Sequence, residues 1–265
     1  MEYSLAPVMS DEGARALSEI PVGHYHEVME TGHPVRRAWH ILKFTRVLEL
    51  CDLGPGAIID VGCFAGSLLS LATPDRFPRQ LGVDILPDQI AWANEHFGTE
   101  YREFKHTPSL DSLRSLKSTF DYATSVEVIE HLTATEIREL FLGVARLLVP
   151  GSGRFVLSTP NYVSTWPVLE LLLNKMSDVD YSEQHITKFT FFSLEKKLRE
   201  IVPELDRYFE LELKTTTHFI SPFMAMFGVD TAKTVGSIVP HQKWRMPFGN
   251  LVLFRLKRTT EPFSD

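Results

Sequence analysis

Three residues in the stretch TSVEVIEHLTATE could act together: Glu127, Glu130 and His131 stand at i, i+3 and i+4. On a helix that spacing projects side chains from one face. A histidine or carboxylate so placed can take a proton from a bound acceptor. The plainer reading is the polar end of an apolar strand. A second group lies in AIIDVGCFAG, where Asp60 precedes a turn whose Gly62 and Gly66 allow a ligand close to the backbone. Asp84 ends the next apolar run, eighteen residues beyond Gly66.

Positioning these groups takes a definite order of elements. After the breaker GPG (Gly54–Gly56), the β-branched run AIIDV predicts a strand, and SLLSLATP beyond the turn predicts a helix stopped by Pro74. RQLGVDI predicts a second strand. PDQIAWANEHFG predicts a helix with Pro87 in its first turn, Asp88 at its positive end and Gly98 as its stop. EYREFKH is a weaker third strand and FDYATSV a fourth. TATEIRELFLGVARLLVPG reads as a helix opened by a capping box of Thr133 and Glu136, with Ile137, Leu140, Phe141, Val144, Leu147 and Leu148 as its apolar stripe. GRFVLSTPN makes a fifth strand and SLEKKLREIV a further helix. FELELKTTTHFI and GNLVLFRLKR form a closing strand pair around FMAMFGVDTAKTVGSI. Such alternation, finishing in a strand pair, implies an α/β fold with a mostly parallel sheet and an antiparallel edge.

Ahead of this core, HPVRRAWHILKFTRVLELC places Trp39, Leu42, Val47 and Leu50 at helical spacing. The division expected is an N-terminal helical cap over residues 1–53 and a domain over 54–265, with a lid segment at 162–190 and an insertion at 221–249. His24, Tyr25, His26, Arg36, Arg37, Trp39 and His40 could cap a substrate, although a solvated helix face is the commoner role for such residues. Trp166 and Tyr181 could wall a pocket.

Ligands of open α/β sheets bind beyond the carboxyl ends of the strands, so the turn DVGCFAG is a nucleotide site, with Asp84 set to accept hydrogen bonds from ribose hydroxyls. NAD and S-adenosylmethionine both meet these terms. A dinucleotide fingerprint needs G-x-G-x-x-G, whereas Cys63, Phe64 and Ala65 separate the two glycines here. Composition narrows the partners. The chain has 265 residues, 44% of them hydrophobic, and a net charge of -7, which disfavours a nucleic-acid partner and favours a small-molecule acceptor. Two cysteines, no secretory leader pattern and no apolar run of spanning length lead to the expectation of a cytoplasmic protein without a membrane span. Oligomeric state is not legible.

IIDVGCFAG, LGVDI, FDYATSVEVIEHL and GRFVLSTPN, in that order, resemble the class I S-adenosylmethionine-dependent methyltransferases. The resemblance implies a Rossmann-like methyltransferase fold, with a seven-stranded sheet and helices on both faces. It also implies cofactor contacts from Asp60, Gly62, Cys63, Phe64, Gly66, Asp84, Ile85 and Glu127. Phe64 stands where that family usually has a further glycine. The acidic residue that often follows the third strand is replaced in KHTPSLDSL by His106, Thr107 or Asp111. The run E-x-x-E-H is similar to that of ubiquinone-pathway O-methyltransferases and small-RNA 3'-terminal 2'-O-methyltransferases. Those branches imply a further histidine, His185 in HITKFT, and a divalent metal such as Mg on Glu127, Glu130, His131 and His185. Without a metal, His131 or His185 would be the base, with Glu127 beside the cofactor. The expected activity is O-methylation of a small-molecule hydroxyl, such as a chelated diol or catechol. RNA 3'-terminal 2'-O-methylation, N-methylation and a non-catalytic cofactor-binding module are the alternatives.

Overall fold

In the computed structural model, which describes residues 20–116, 119–167, 186–238 and 247–263, the apolar runs pair into one seven-stranded sheet. Strands β1 (Ile58–Val61), β2 (Gln80–Asp84), β3 (Arg102–His106), β4 (Tyr122–Val126) and β5 (Arg154–Pro160) run parallel. β6 (Phe209–Thr217) and β7 (Leu251–Arg258) complete the sheet, β7 lying antiparallel to both β5 and β6. The order is β3-β2-β1-β4-β5-β7-β6. Its direction of growth reverses between β1 and β4, so the crevice at their carboxyl ends is the topological switch point. Pro160 is the last residue of β5.

Eight α-helical segments flank the sheet among the described residues: α1 (His24–Thr31), α2 (Pro34–Cys51), α3 (Ser67–Ser70), α4 (Pro87–Phe97), α5 (Ala134–Leu147), α6 (Leu194–Ile201), α7 (Leu205–Tyr208) and α8 (Val229–Ile238). Successive strand residues point to opposite faces, and two apolar clusters result. Ile59 and Val61 pack with Leu140, Phe141 and Val144 of α5, whereas Ile58 packs with Phe44, Val47 and Leu50 of α2 and Ile90 of α4. β1 and β2 are buried along their whole length, as parallel strands covered on both faces must be.

The capping box forms as read: Thr133 Oγ1 accepts from the Glu136 amide at 3.4 Å, and Glu136 Oε2 accepts from the Thr133 amide at 2.8 Å. Pro87 opens α4, and the Gly98 amide closes it by donating to the Asn94 carbonyl. SLLSLATP departs from expectation, since the helix there is a single turn ending at Ser70. Within the insertion, a 3₁₀ segment (Ser221–Phe227) and α8 pack on α2, where Ala232 joins Ala38 and Leu42. No helix of the described residues is long and apolar enough to cross a membrane.

Candidate functional site

β1 ends at Val61, and the chain enters α3 through Gly62 (φ 79°), Phe64 (φ 48°) and Gly66 (φ 76°). This left-handed backbone is open to glycine and costs other residues about 1–2 kcal/mol. Packing adds to the requirement: a Cβ on Gly66 would lie 2.6 Å from the Phe104 ring. Phe64 is held in the turn by two contacts. Its amide donates to Asp84 Oδ2 at 2.8 Å, and its ring meets Tyr25 of α1 with centroids 5.1 Å apart. Asp84 Oδ1 accepts from the Leu86 amide at 3.0 Å. Burial raises the pKa of Asp84, while these backbone donors oppose the rise. Asp60 is enclosed and accepts from Thr124 Oγ1 at 2.7 Å. Burial, opposed by that hydrogen bond and assisted by the charge of Asp84, lifts the Asp60 pKa from 3.8 to about 7.

The shared helical face expected for Glu127, Glu130 and His131 does not form. Glu127 lies in the left-handed region (φ 54°) just past β4, and only a 3₁₀ turn, Ile129–His131, follows it. The Glu127 carboxylate is ion-paired with the Lys43 ammonium of α2, 84 residues earlier in the chain. Glu130 turns inward and is fully buried. Its Oε2 accepts from Thr159 Oγ1 at 3.1 Å, and its Oε1 has no hydrogen-bond partner among the described residues. Burial first, and the charge of Glu127 second, hold its carboxyl well above the usual range, so it favours the protonated form.

His185 lies outside the described residues, as does Tyr181. Thr187, two positions further on, donates its amide to the Glu130 carbonyl at 3.0 Å. Among the described residues no three His, Cys, Asp or Glu side chains converge on a metal-sized point. A divalent ion needs ionised, available carboxylates. Glu127 is engaged by Lys43 and Glu130 favours its proton, so these donors do not fit the metal expected there.

Asp60, Asp84, Glu127 and His131 all line one cavity of about 330 Å³, together with Gly62, Cys63, Phe64 and Ile85. Helix α2 forms its other wall. Arg36, Trp39, His40 and Lys43 face it at i, i+3, i+4 and i+7, one helical stripe. Of the N-terminal cluster expected to be a solvated face, Tyr25, Arg36, Trp39 and His40 therefore line the cavity. His26 packs against Trp92 and Phe97 instead, and Arg37 Nε donates to the Met29 carbonyl. Trp166 also lines the cavity, its ring centroid 5.6 Å from that of Trp39. In KHTPSLDSL, Thr107 borders the cavity, whereas Asp111 is ion-paired with Arg114. Cys63 is a buried thiol whose pKa burial drives far upward, which suits a packing role.

Sequence reading missed Lys43 and His218. Lys43 completes the stripe begun by Arg36, and that period was the available signal. His218 is buried in a left-handed backbone with its Nε2 2.7 Å from the Trp39 carbonyl, a contact across 179 residues that no local pattern announces.

Residues 35–201 match a family model described as a methyltransferase domain. No curated protein matches the chain in sequence. Several solved structures are similar in fold. An N-methyltransferase NodS from Bradyrhizobium japonicum, in complex with S-adenosyl-L-homocysteine, superposes with a TM-score of 0.56 at 15% identity, over 93% of this chain and 96% of that one. A magnesium protoporphyrin IX methyltransferase from Synechocystis, also with bound S-adenosyl-L-homocysteine, gives 0.54 at 16% identity over 94% of each chain. An S-adenosylmethionine-dependent methyltransferase from Archaeoglobus fulgidus gives 0.57 at 15% identity, over 88% of this chain and 98% of the other.

Proposed function

Since the chain belongs to the class I S-adenosylmethionine-dependent methyltransferases, we propose that it methylates an oxygen of a small-molecule acceptor held beneath α2. The observation that carries this reading is the continuity of the cavity, which joins the β1 turn to an aromatic and basic chamber. The fit to the cofactor rests on donor chemistry. Two buried carboxylates, Asp60 and Asp84, flank a glycine turn, and a cationic, hydroxyl-bearing ligand satisfies both. Asp60, Gly62, Cys63, Phe64, Gly66, Asp84 and Ile85 form the cofactor wall, with Thr107 toward the base. The carboxylate of Glu127, steadied by Lys43, faces the amino-acid end.

When bound, the cofactor supplies a methyl group on a sulfonium, and a neutral thioether leaves. The chain must align the acceptor and keep its nucleophile deprotonated. Trp39, Trp166 and Phe64 orient it by their faces and narrow the space left to water. His131, at the end of the β4 loop, takes the proton of a hydroxyl acceptor. Residues 1–53 serve as the cap, because α2 carries one whole wall of the chamber.

The net charge of -7 supports a small acceptor over RNA. A nitrogen acceptor is the second reading, favoured by the likeness in fold to the N-methyltransferase NodS. Calorimetry should show S-adenosylhomocysteine binding and no NAD binding. Label from methyl-tritiated S-adenosylmethionine should enter extractable metabolites rather than RNA, and mass spectrometry of the product tells oxygen from nitrogen. Binding without turnover of any acceptor in a broad metabolite library would leave a cofactor-binding module instead.

A further inference from the structure

Exposed apolar side chains on this protein are concentrated rather than scattered. Of the twelve large ones left exposed among the described residues, six fall between positions 219 and 248: Phe219, Ile220, Met226, Phe227, Ile238 and Phe248. Met226 and Phe227 are 75% and 77% exposed, the highest of the set. Single exposed apolar residues need no explanation, but a local group of them marks a contact surface.

The packing of the insertion puts its large apolar residues on the outer side. The 3₁₀ segment Ser221–Phe227 and α8 meet α2 through small residues: Ala225 and Ala232 are buried with Ala38 and Leu42, and a Cβ on Gly236 would lie 3.1 Å from the Leu42 side chain. Burial returns most for large apolar side chains, and here those are the ones left outside. Local contacts gather them into two groups. A Cβ on Gly236 would lie 3.7 Å from that of Ser221, so the neighbouring Ile220 and Ile238 belong to one end of the insertion. The Asn250 side chain donates to the His218 carbonyl at 2.6 Å, which brings Phe219 and Phe248 to that same end. Met226 and Phe227 stand at the other end, where Gly228 (φ 117°) turns the chain into α8. Phe223, between the two groups, lines the chamber.

Charge decides what covers this face. Residues 219–249 carry one carboxylate, Asp230, against Lys233, Lys243 and Arg245, a net +2 in a chain of -7 that leaves -9 on the rest. Asp230 is itself 3.6 Å from the Lys233 ammonium. A second copy docked by the same face in a two-fold dimer would set +2 against +2. Anionic lipid head groups attract this part of the chain and repel the remainder, which fixes the side that faces a bilayer. Phenylalanine, isoleucine and methionine side chains then enter at the boundary of head groups and acyl chains.

We propose that the insertion is a peripheral docking element for an anionic lipid bilayer, anchored by Met226 and Phe227 at one end and by Phe219, Ile220, Ile238 and Phe248 at the other. The contact is interfacial, with the protein lying on the lipid surface. Because Phe223 belongs both to this element and to the chamber wall, docking brings the acceptor chamber next to the lipid. The inference holds whichever atom of the acceptor is methylated.

The test is co-sedimentation of the whole chain with vesicles of phosphatidylcholine and phosphatidylglycerol, and with vesicles of phosphatidylcholine alone. The mixed vesicles should hold the protein, the neutral ones should hold roughly tenfold less, and added salt should narrow the difference. Met226→Ser combined with Phe227→Ser should lower partition into the mixed vesicles roughly tenfold or more, because two transfers into lipid are lost. Lys243→Gln combined with Arg245→Gln should lower it several-fold. Phe192→Ser, at a residue 62% exposed outside the insertion, should change nothing. Each variant should keep the parent's Tm and its affinity for S-adenosylhomocysteine, so that a loss of lipid binding is not a loss of fold. Absence of vesicle binding overturns the proposal, as does equal binding to both kinds of vesicle. Binding that survives the Met226→Ser and Phe227→Ser changes, or that Phe192→Ser weakens as much, overturns it too. Self-association of the parent that the same pair of changes abolishes, without vesicle binding, would give the face to a second copy and overturn it likewise.

Discussion

Lys43 and Glu127 tie the N-terminal helix to the end of β4, and removing either partner tests how the site is held. The Lys43 side chain is 5% exposed and that of Glu127 20%, so Glu127→Gln strands an enclosed ammonium. Breaking a fully buried pair from one side costs about 3–5 kcal/mol, and the opening on the glutamate side reduces this to about 2–3 kcal/mol. For a domain of this size that is a loss of roughly 5–10 °C in Tm. Lys43→Met strands the more exposed charge and should cost less, about 1–2 kcal/mol. The double variant leaves neither charge alone, so its loss should fall short of the sum of the single losses by at least about 1 kcal/mol. The assay is thermal unfolding of the ligand-free protein and the three variants in one buffer, with calorimetric titration of S-adenosylhomocysteine. Glu127→Gln should weaken that binding more than Lys43→Met does. A Glu127→Gln protein melting within about 2 °C of the parent, or strict additivity in the double variant, would refute the reasoning.

The Asp60 pKa near 7 means that the folded protein binds a proton which the unfolded chain, at 3.8, has already released. Ligand-free stability should therefore fall as pH rises from about 4 through about 7, by up to about 4 kcal/mol from this residue, and Asp60→Asn should flatten that fall in a Tm-against-pH series. Glu130 and Asp84 shift in the same direction, so part of the slope should survive in the variant. Gly66→Ala places a Cβ against Phe104 in a left-handed backbone and should cost about 2–3 kcal/mol together with most affinity for S-adenosylhomocysteine, seen in the same melts and titrations. Because Lys43 engages Glu127 and Glu130 favours its proton, methyl transfer should persist after exhaustive chelation, and a loss restored by added Mg or Mn would count against that.

Much of the scaffold was legible because its signals are local. The capping box of α5 needs only Thr133 and Glu136, and the start of α4 at Pro87 and its stop at Gly98 are written at the helix ends they mark. Asp60 and Asp84 were legible because Asp84 ends a short apolar strand and Asp60 stands one residue before the end of another. The EVIEH run misled for a physical reason. Periodicity predicts a shared face only if the backbone stays helical, and Glu127 takes a left-handed conformation that its sequence does not announce. The acceptor chamber was harder still. Whether Arg36, His40 and Lys43 face water or a cavity depends on β4, β5 and the 3₁₀ segment Ser221–Phe227, which reach α2 from distant parts of the chain.

The sheet order has a consequence for the chain while it is being synthesised. β7 sits between β5 and β6, and Arg255 of β7 donates to the Leu50 carbonyl at the end of α2. His218 holds the Trp39 carbonyl, and the Arg46 guanidinium donates to the Gly236 carbonyl, so α2 is clamped by segments made some 180 to 205 residues after it. The half of the sheet that carries Asp60 and Asp84 can pair while the later strands are still unmade. The chamber wall cannot be fixed until those later segments arrive, and the apolar stripe of α2 that includes Ala38 and Leu42 stands uncovered until Ala225 and Ala232 are made. A ribosome-stalled chain that ends before the 3₁₀ segment Ser221–Phe227 should therefore hold the nucleotide half in shape while presenting α2 to chaperones.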